Sequence, residues 1–133
     1  TPKRRIQMKV LIVDDSGLVR RLMRKMISDL GHEPLEAIHG KDALKQLQAH
    51  PDIGLMMLDW NMPEMTGIEL LDAIKLRWDP VKRPTIIMVT TENQTEKIVQ
   101  ALAKGANEYI MKPFTREILV EKLALLGITN GGN

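Results

Sequence analysis

A chain of 133 residues, 44% apolar and 27% charged, has the size and make-up of one globular domain. A formal net charge of +2 is too small to argue for nucleic-acid binding, the absence of cysteine excludes disulfide and thiolate chemistry, and no apolar run is long enough to cross a bilayer. No signal-peptide pattern opens the chain, which fits a cytoplasmic location. It begins at Thr1 rather than Met, so part of the native N-terminus is expected to be missing or replaced, and Lys3, Arg4 and Arg5 read as a solvated tail.

Strand-like and helix-like patterns alternate along the whole chain. Val10 to Val13 is a short β-branched run ending in Asp14, Asp15 and Ser16. Residues 18–30 read as a helix, because Leu18, Leu22, Met26 and Leu30 recur every four positions beside Val19, Met23 and Ile27. Arg20, Arg21, Arg24 and Lys25 fall away from that stripe as a basic face suited to an acidic partner or simply to water, and Gly31 stands at the stop. Pro34 to Ile38 is a weak strand, placed at a sheet edge by its proline. Lys41 to Ala49 is a helix with Ala43, Leu44 and Leu47 inward. Ile53 to Leu58 is a continuous apolar run, as a strand covered on both faces should be.

Gly67 to Arg77 is a helix that Thr66 can cap. Thr85 to Val89 is a second buried strand, Thr95 to Lys104 a helix closed by Gly105, and Glu108 to Met111 a short last strand. Thr115 can cap a final helix that carries Ile118, Leu119, Leu123 and Leu126 and stops at Gly127. The histidines at 32, 39 and 50 lack metal-ligand spacing and are expected at the surface. The nine methionines read as core filling.

Five βα units predict an α/β fold with a parallel sheet between helices. Right-handed crossovers cover both faces only if the strand order reverses, and ligands then bind at the carboxyl ends of the strands near that reversal. Four of the five strands end there in polar residues: Asp14 and Asp15, Asp59, Thr90, and Lys112 before Pro113. Crowded carboxylates repel, and a hard divalent cation such as magnesium relieves them. Lys112 offers an ammonium and Thr90 a hydroxyl to further oxygens. An acid pair after a strand is by itself most often a solvated turn, and a lone Lys-Pro is usually a loop. The conjunction at one sheet edge points instead to phosphoryl transfer, with a carboxylate as nucleophile.

The stretches 10–16, 58–67, 89–90 and 105–114 together resemble the receiver domains of two-component response regulators, most closely the stand-alone chemotaxis type. The resemblance implies a flavodoxin-like, three-layer (βα)5 fold with strand order 2-1-3-4-5. It implies a tail at residues 1–8, a receiver domain at 9–127 and a second tail at 128–133. By the same resemblance Asp59 is the phosphoacceptor, Asp15 a direct Mg2+ ligand, Asp14 a helper acting largely through water, and Asn61 a ligand through its backbone carbonyl. Lys112 would contact phosphoryl oxygens across a cis peptide to Pro113, and Thr90 and Tyr109 would form a switch pair. Asn61, Thr91 and Glu92 would tune the lifetime of the phosphorylated state, Thr91 being bulkier than the family's usual residue.

The implied partners are a histidine kinase as phosphodonor, a phosphatase, and a protein target at the face of the fourth helix, fifth strand and fifth helix, with the flagellar motor switch as the named case. Neither nucleic acid nor membrane insertion is implied, and a monomer that is no enzyme beyond its own phosphotransfer and dephosphorylation is expected. No output domain follows the fifth helix, so the chain either acts by binding another protein or is a receiver excised from a larger regulator. Two rival readings use the same sheet edge. An aspartate-nucleophile phosphatase of the haloacid-dehalogenase type would want an acid where Asn61 stands and a cap domain. A flavodoxin-like cofactor protein would not crowd acids at its phosphate site.

Overall fold

The computed structural model describes residues 7–62, 64–91 and 95–131. Five parallel strands, β1 (Lys9–Val13), β2 (Glu33–Ala37), β3 (Ile53–Asp59), β4 (Thr85–Thr90) and β5 (Glu108–Met111), form one sheet in the order β2-β1-β3-β4-β5. Helices α1 (Gly17–Asp29), α2 (Gly40–Ala49), α3 (Gly67–Arg77), α4 (Thr95–Ala103) and α5 (Arg116–Leu125) connect and follow them, with a single 3-10 turn at Pro80–Lys82. The expected α/β class and strand order are both present. Strand ends and helix starts lie within a residue or two of where the periodicity places them. None of the described helices is long and apolar enough to cross a membrane.

The period-two alternation of the strands divides the core in two. Leu11, Val13, Met56, Leu58, Ile86 and Met88 face one side, where Leu44 and Leu47 of α2, Leu70, Leu71 and Ile74 of α3, and Ala101 of α4 cover them. Val10, Ile12, Leu55, Met57, Ile87, Val89 and Ile110 face the other, under Met23 and Ile27 of α1 and Leu119 and Leu123 of α5. The β1–β3–β4 centre is therefore dry on both faces, which is why its strands read as unbroken apolar runs. β2 is an edge strand, and its Pro34 lies opposite Val10.

Local chemistry sets the helix ends. Ser16, Thr66 and Thr115 accept hydrogen bonds from the backbone N–H groups of Val19, Glu69 and Ile118, so each satisfies a donor the helix leaves open. Thr66 and Glu69 form a reciprocal capping box. Gly31, Gly105 and Gly127 leave α1, α4 and α5 at φ of 86°, 116° and 76°, the left-handed region that a side chain disfavours.

Two sequence expectations need correction. The inward stripe of α1 is Met23, Ile27 and Leu30, with Val19 and Met26 at its margin, whereas Leu18 and Leu22 are 64% and 56% exposed. The four-residue spacing selected a row that drifts off the buried face, because 3.6 residues per turn rotates an i+4 series by about 40° each step. His32 is buried rather than on the surface. Its Nδ1 accepts the Met8 N–H at 3.0 Å and its Nε2 lies 2.9 Å from the Thr129 carbonyl oxygen, so both ring nitrogens are satisfied away from water. Gly131 packs against the same ring and donates its N–H to Leu30 O at 2.8 Å.

The α1 correction has a measurable consequence. Ile27→Ala should cost about 2–5 kcal/mol of unfolding free energy in equilibrium urea denaturation, as expected for a large buried aliphatic. Leu22→Ala should change it by no more than about 0.5 kcal/mol, as expected for a surface position.

Candidate functional site

Register brings the polar strand ends together. Val13 pairs with Leu58, Asp59 with Val89, and Thr90 with Met111, so the residues ending β1, β3, β4 and β5 line up along one edge of the sheet. Backbone bonds continue past the ladder: Asp14 N–H to Ala37 O at 3.2 Å, Trp60 N–H to Val89 O at 3.0 Å, and Lys112 N–H to Thr90 O at 2.7 Å. The side chains at this edge thus project from fixed backbone.

Asp14 and Asp59 are buried and Asp15 is exposed. One carboxylate oxygen from each lies within 4.8 Å of the others. Lys112 reaches across the edge, donating to Asp59 Oδ1 at 2.9 Å and standing 3.5 Å from Asp14 Oδ2. The first contact is a charge-assisted hydrogen bond. The second is an ion pair without hydrogen-bond geometry, and Asp14 Oδ2 is buried with no hydrogen-bond partner. Its sister Oδ1 accepts the Ser16 N–H at 2.8 Å. The peptide between Lys112 and Pro113 is cis.

Burial is the largest influence on Asp59 and pushes its carboxyl above the ordinary carboxylate range. The Lys112 hydrogen bond opposes that push, and the Asp14 and Asp15 charges reinforce it. Burial also pulls the Lys112 ammonium down, but its hydrogen bond to Asp59 and the charges of Asp59 and Asp14 together outweigh burial, so its pKa lies above the ordinary lysine value. One ammonium therefore serves two buried carboxylates and leaves the edge short of positive charge.

The donor set fits a hard divalent cation. It consists of carboxylate oxygens at close quarters, one of them buried without a hydrogen bond, and magnesium takes oxygen ligands of this kind. Thr90 is buried at the end of β4, and its hydroxyl makes a long 3.4 Å contact with the Thr91 carbonyl. Asn61 and Thr91 are exposed at the rim. Tyr109 is half-buried on the α4 side of β5, with Lys122 Nζ 4.1 Å from its ring centroid. Glu92 lies outside the described residues.

Sequence reasoning assigned no role here to Arg20, which it left on a solvated face. Its guanidinium donates to the Asp14 carbonyl oxygen at 2.8 Å and to Glu36 at 3.1 Å, tying α1 and β2 to the backbone of the acid pair. No local pattern announces this contact, because Glu36 arrives from a neighbouring strand.

A carboxyl whose folded-state pKa lies above its unfolded value stabilises the fold only while protonated. For Asp59 that contribution is complete below the ordinary value of 3.8 and is lost as pH rises through the folded pKa. Without divalent cations, Asp59→Asn should therefore unfold at higher urea than the native chain near neutral pH. The gap should shrink as pH falls into the carboxylate range, as followed by paired urea titrations.

The comparisons with known proteins agree with this geometry. The model of the response regulator receiver domain matches residues 10–124. Chemotaxis protein CheY1 of Helicobacter pylori is 46% identical over 92% of this chain and 99% of its own length. The chemotaxis protein CheY homolog of Campylobacter jejuni is 44% identical over 93% of this chain and 96% of its own. The crystal structure of chemotaxis response regulator CheY4 of Vibrio cholerae superposes with a TM-score of 0.81 at 35% identity, covering 90% of this chain and 98% of that one. The chain belongs to the response-regulator receiver family of two-component signalling proteins.

Proposed function

We propose that the chain is a phosphorylation switch of the chemotaxis type, in which Asp59 accepts a phosphoryl group from a histidine kinase. The observation that carries the reading is the buried Asp59 carboxylate, held at a strand end and faced by the Lys112 ammonium at 2.9 Å. In the transfer, an Asp59 oxygen forms a bond to phosphorus while the phosphorus–nitrogen bond of the donor's phosphohistidine breaks. The histidine leaves with the electron pair and takes up a proton. Asp14, Asp15, Asp59 and the Asn61 carbonyl would hold Mg2+, which supplies charge neutralisation when bound.

The chain's own groups then act on the product. Phosphorylation adds nearly two negative charges and three acceptor oxygens at Asp59. Lys112 exchanges its carboxylate partner for a phosphoryl oxygen, and the Thr90 hydroxyl turns to another. These contacts exist only in the phosphorylated state, so they can bias a two-state equilibrium. Tyr109 carries the bias outward by turning into space Thr90 leaves. Asn61 and Thr91, exposed at the rim, and Glu92, two residues past Thr90 in sequence, set the rate of hydrolysis and the access of a phosphatase.

The output surface is the face of α4, β5 and α5. Val99, Leu102, Met111 and Ile118 are large apolar side chains exposed on these three elements, the composition expected of a protein-binding patch. The relatives named for chemotaxis support a chemotaxis role, and within that role the target is the flagellar motor switch and the place of action the cytoplasm.

Incubation with Mg2+ and acetyl phosphate should add the mass of one phosphate, seen by intact-mass spectrometry. Chelation of the metal or the Asp59→Asn change should abolish the adduct; an adduct that survives Asp59→Asn would overturn the assignment. A second outcome concerns the switch. Lys112→Ala should still accept phosphate, but the Tyr109 ring resonances, from the only tyrosine in the chain, should no longer move on phosphorylation. Normal movement of that ring in Lys112→Ala would remove the role given to the lysine.

A further inference from the structure

Gly40 is the first residue of α2, and nothing in its own backbone asks for glycine. Among the described residues the glycines in the left-handed region are Gly31, Gly105 and Gly127, and Gly40 is not one of them. A helix start capped by His39, whose Nδ1 accepts the Asp42 N–H at 3.0 Å, would be better served by almost any other residue. The reason for glycine comes from across the sheet edge. A Cβ on Gly40 would stand 2.6 Å from Met65 Sδ, 2.8 Å from its Cγ and 2.9 Å from its Cβ. The last of these atoms is fixed to the backbone of the loop between β3 and α3, so rotating the methionine does not clear the space.

That loop carries Asn61. It is fastened at its ends and sides: Gly67 N–H to Trp60 O at 3.3 Å, Met62 buried in the core, and Met65 seated over Gly40. Between these anchors Glu64 is held at φ 69°, a left-handed conformation for a residue with a side chain. A loop that retains such a residue is positioned by its surroundings rather than by its own preference.

We infer that Gly40 is a positioning residue: the methionine socket it leaves open on α2 sets where the loop places Asn61, and so tunes the cation site. This rests on the reading of Asn61 as a metal ligand. Supporting groups that orient ligands commonly change metal affinity by roughly ten-fold or more when disturbed.

Two measurements on the whole chain test it: Mg2+ affinity by isothermal titration, and proton–nitrogen correlation spectra of the metal-free protein. Gly40→Ala should weaken Mg2+ binding roughly ten-fold and shift the amides of Trp60, Asn61 and Met62. In a Met65→Ala background, where Sδ and Cγ are gone, the same change should cost several-fold less. An unchanged affinity and spectrum in Gly40→Ala, or an equal penalty in both backgrounds, would overturn the inference. If the native chain binds no Mg2+, the magnesium reading fails. The metal-free spectra still decide the role of Gly40, because shifts confined to α2 would refute it. If Gly40→Ala does not fold, Met65→Ala alone should displace the Asn61 amide and weaken Mg2+ binding, and no effect there would count equally against the socket.

Discussion

Two carboxylates, Asp14 and Asp59, end neighbouring strands of one sheet and are both buried, yet a single ammonium faces them. Like charges at that range resist being taken out of water together, and only a firmly built edge keeps them there. Much of the fold reads as support for this arrangement. The apolar β1–β3–β4 centre fixes the backbone, Ser16 and Arg20 hold Asp14 by its side chain and its carbonyl, and the Lys112 N–H bond to Thr90 O fixes the backbone of Lys112. The resulting deficit of positive charge is what makes the edge receptive to a cation.

Short contacts run from the receptive edge towards the face formed by α4, β5 and α5. Thr90 ends β4 and Lys112 follows β5, the strand on which half-buried Tyr109 lies opposite Met88 of β4. Lys122 of α5 lies over the Tyr109 ring and pairs with Glu108 at 3.1 Å, so the ring is packed against α5.

Much of this was legible in the sequence for a physical reason. Parallel strands buried on both faces are long apolar runs, and their polar termini stand out against them, so Asp59, Thr90 and Lys112 announced themselves. Helix stops at Gly31, Gly105 and Gly127 were visible because backbone geometry there demands glycine. What stayed hidden depends on contacts between segments distant in the chain. His32 looked like a surface histidine because its partners, Met8 and Thr129, lie 24 and 97 residues away. Arg20 belonged to a basic helix face until Glu36 and the Asp14 carbonyl oxygen were placed beside it. The α1 stripe failed for a different reason: Leu18 and Leu22 are as apolar as the residues that are buried, and the i+4 row through them drifts off the face that the sheet covers.

The imidazole of His32 has a further implication. It gathers the lead into β1 and the segment after α5 at the amino ends of the strands, the opposite pole from the acids. Met8 and Thr129 are thereby held on one ring, away from the acidic edge. The fold is polarised in the manner of a plug: the acids line one pole, and the other gathers the segments at Met8 and Thr129. A pull on either segment would reach the His32 mooring before it disturbed the acidic edge.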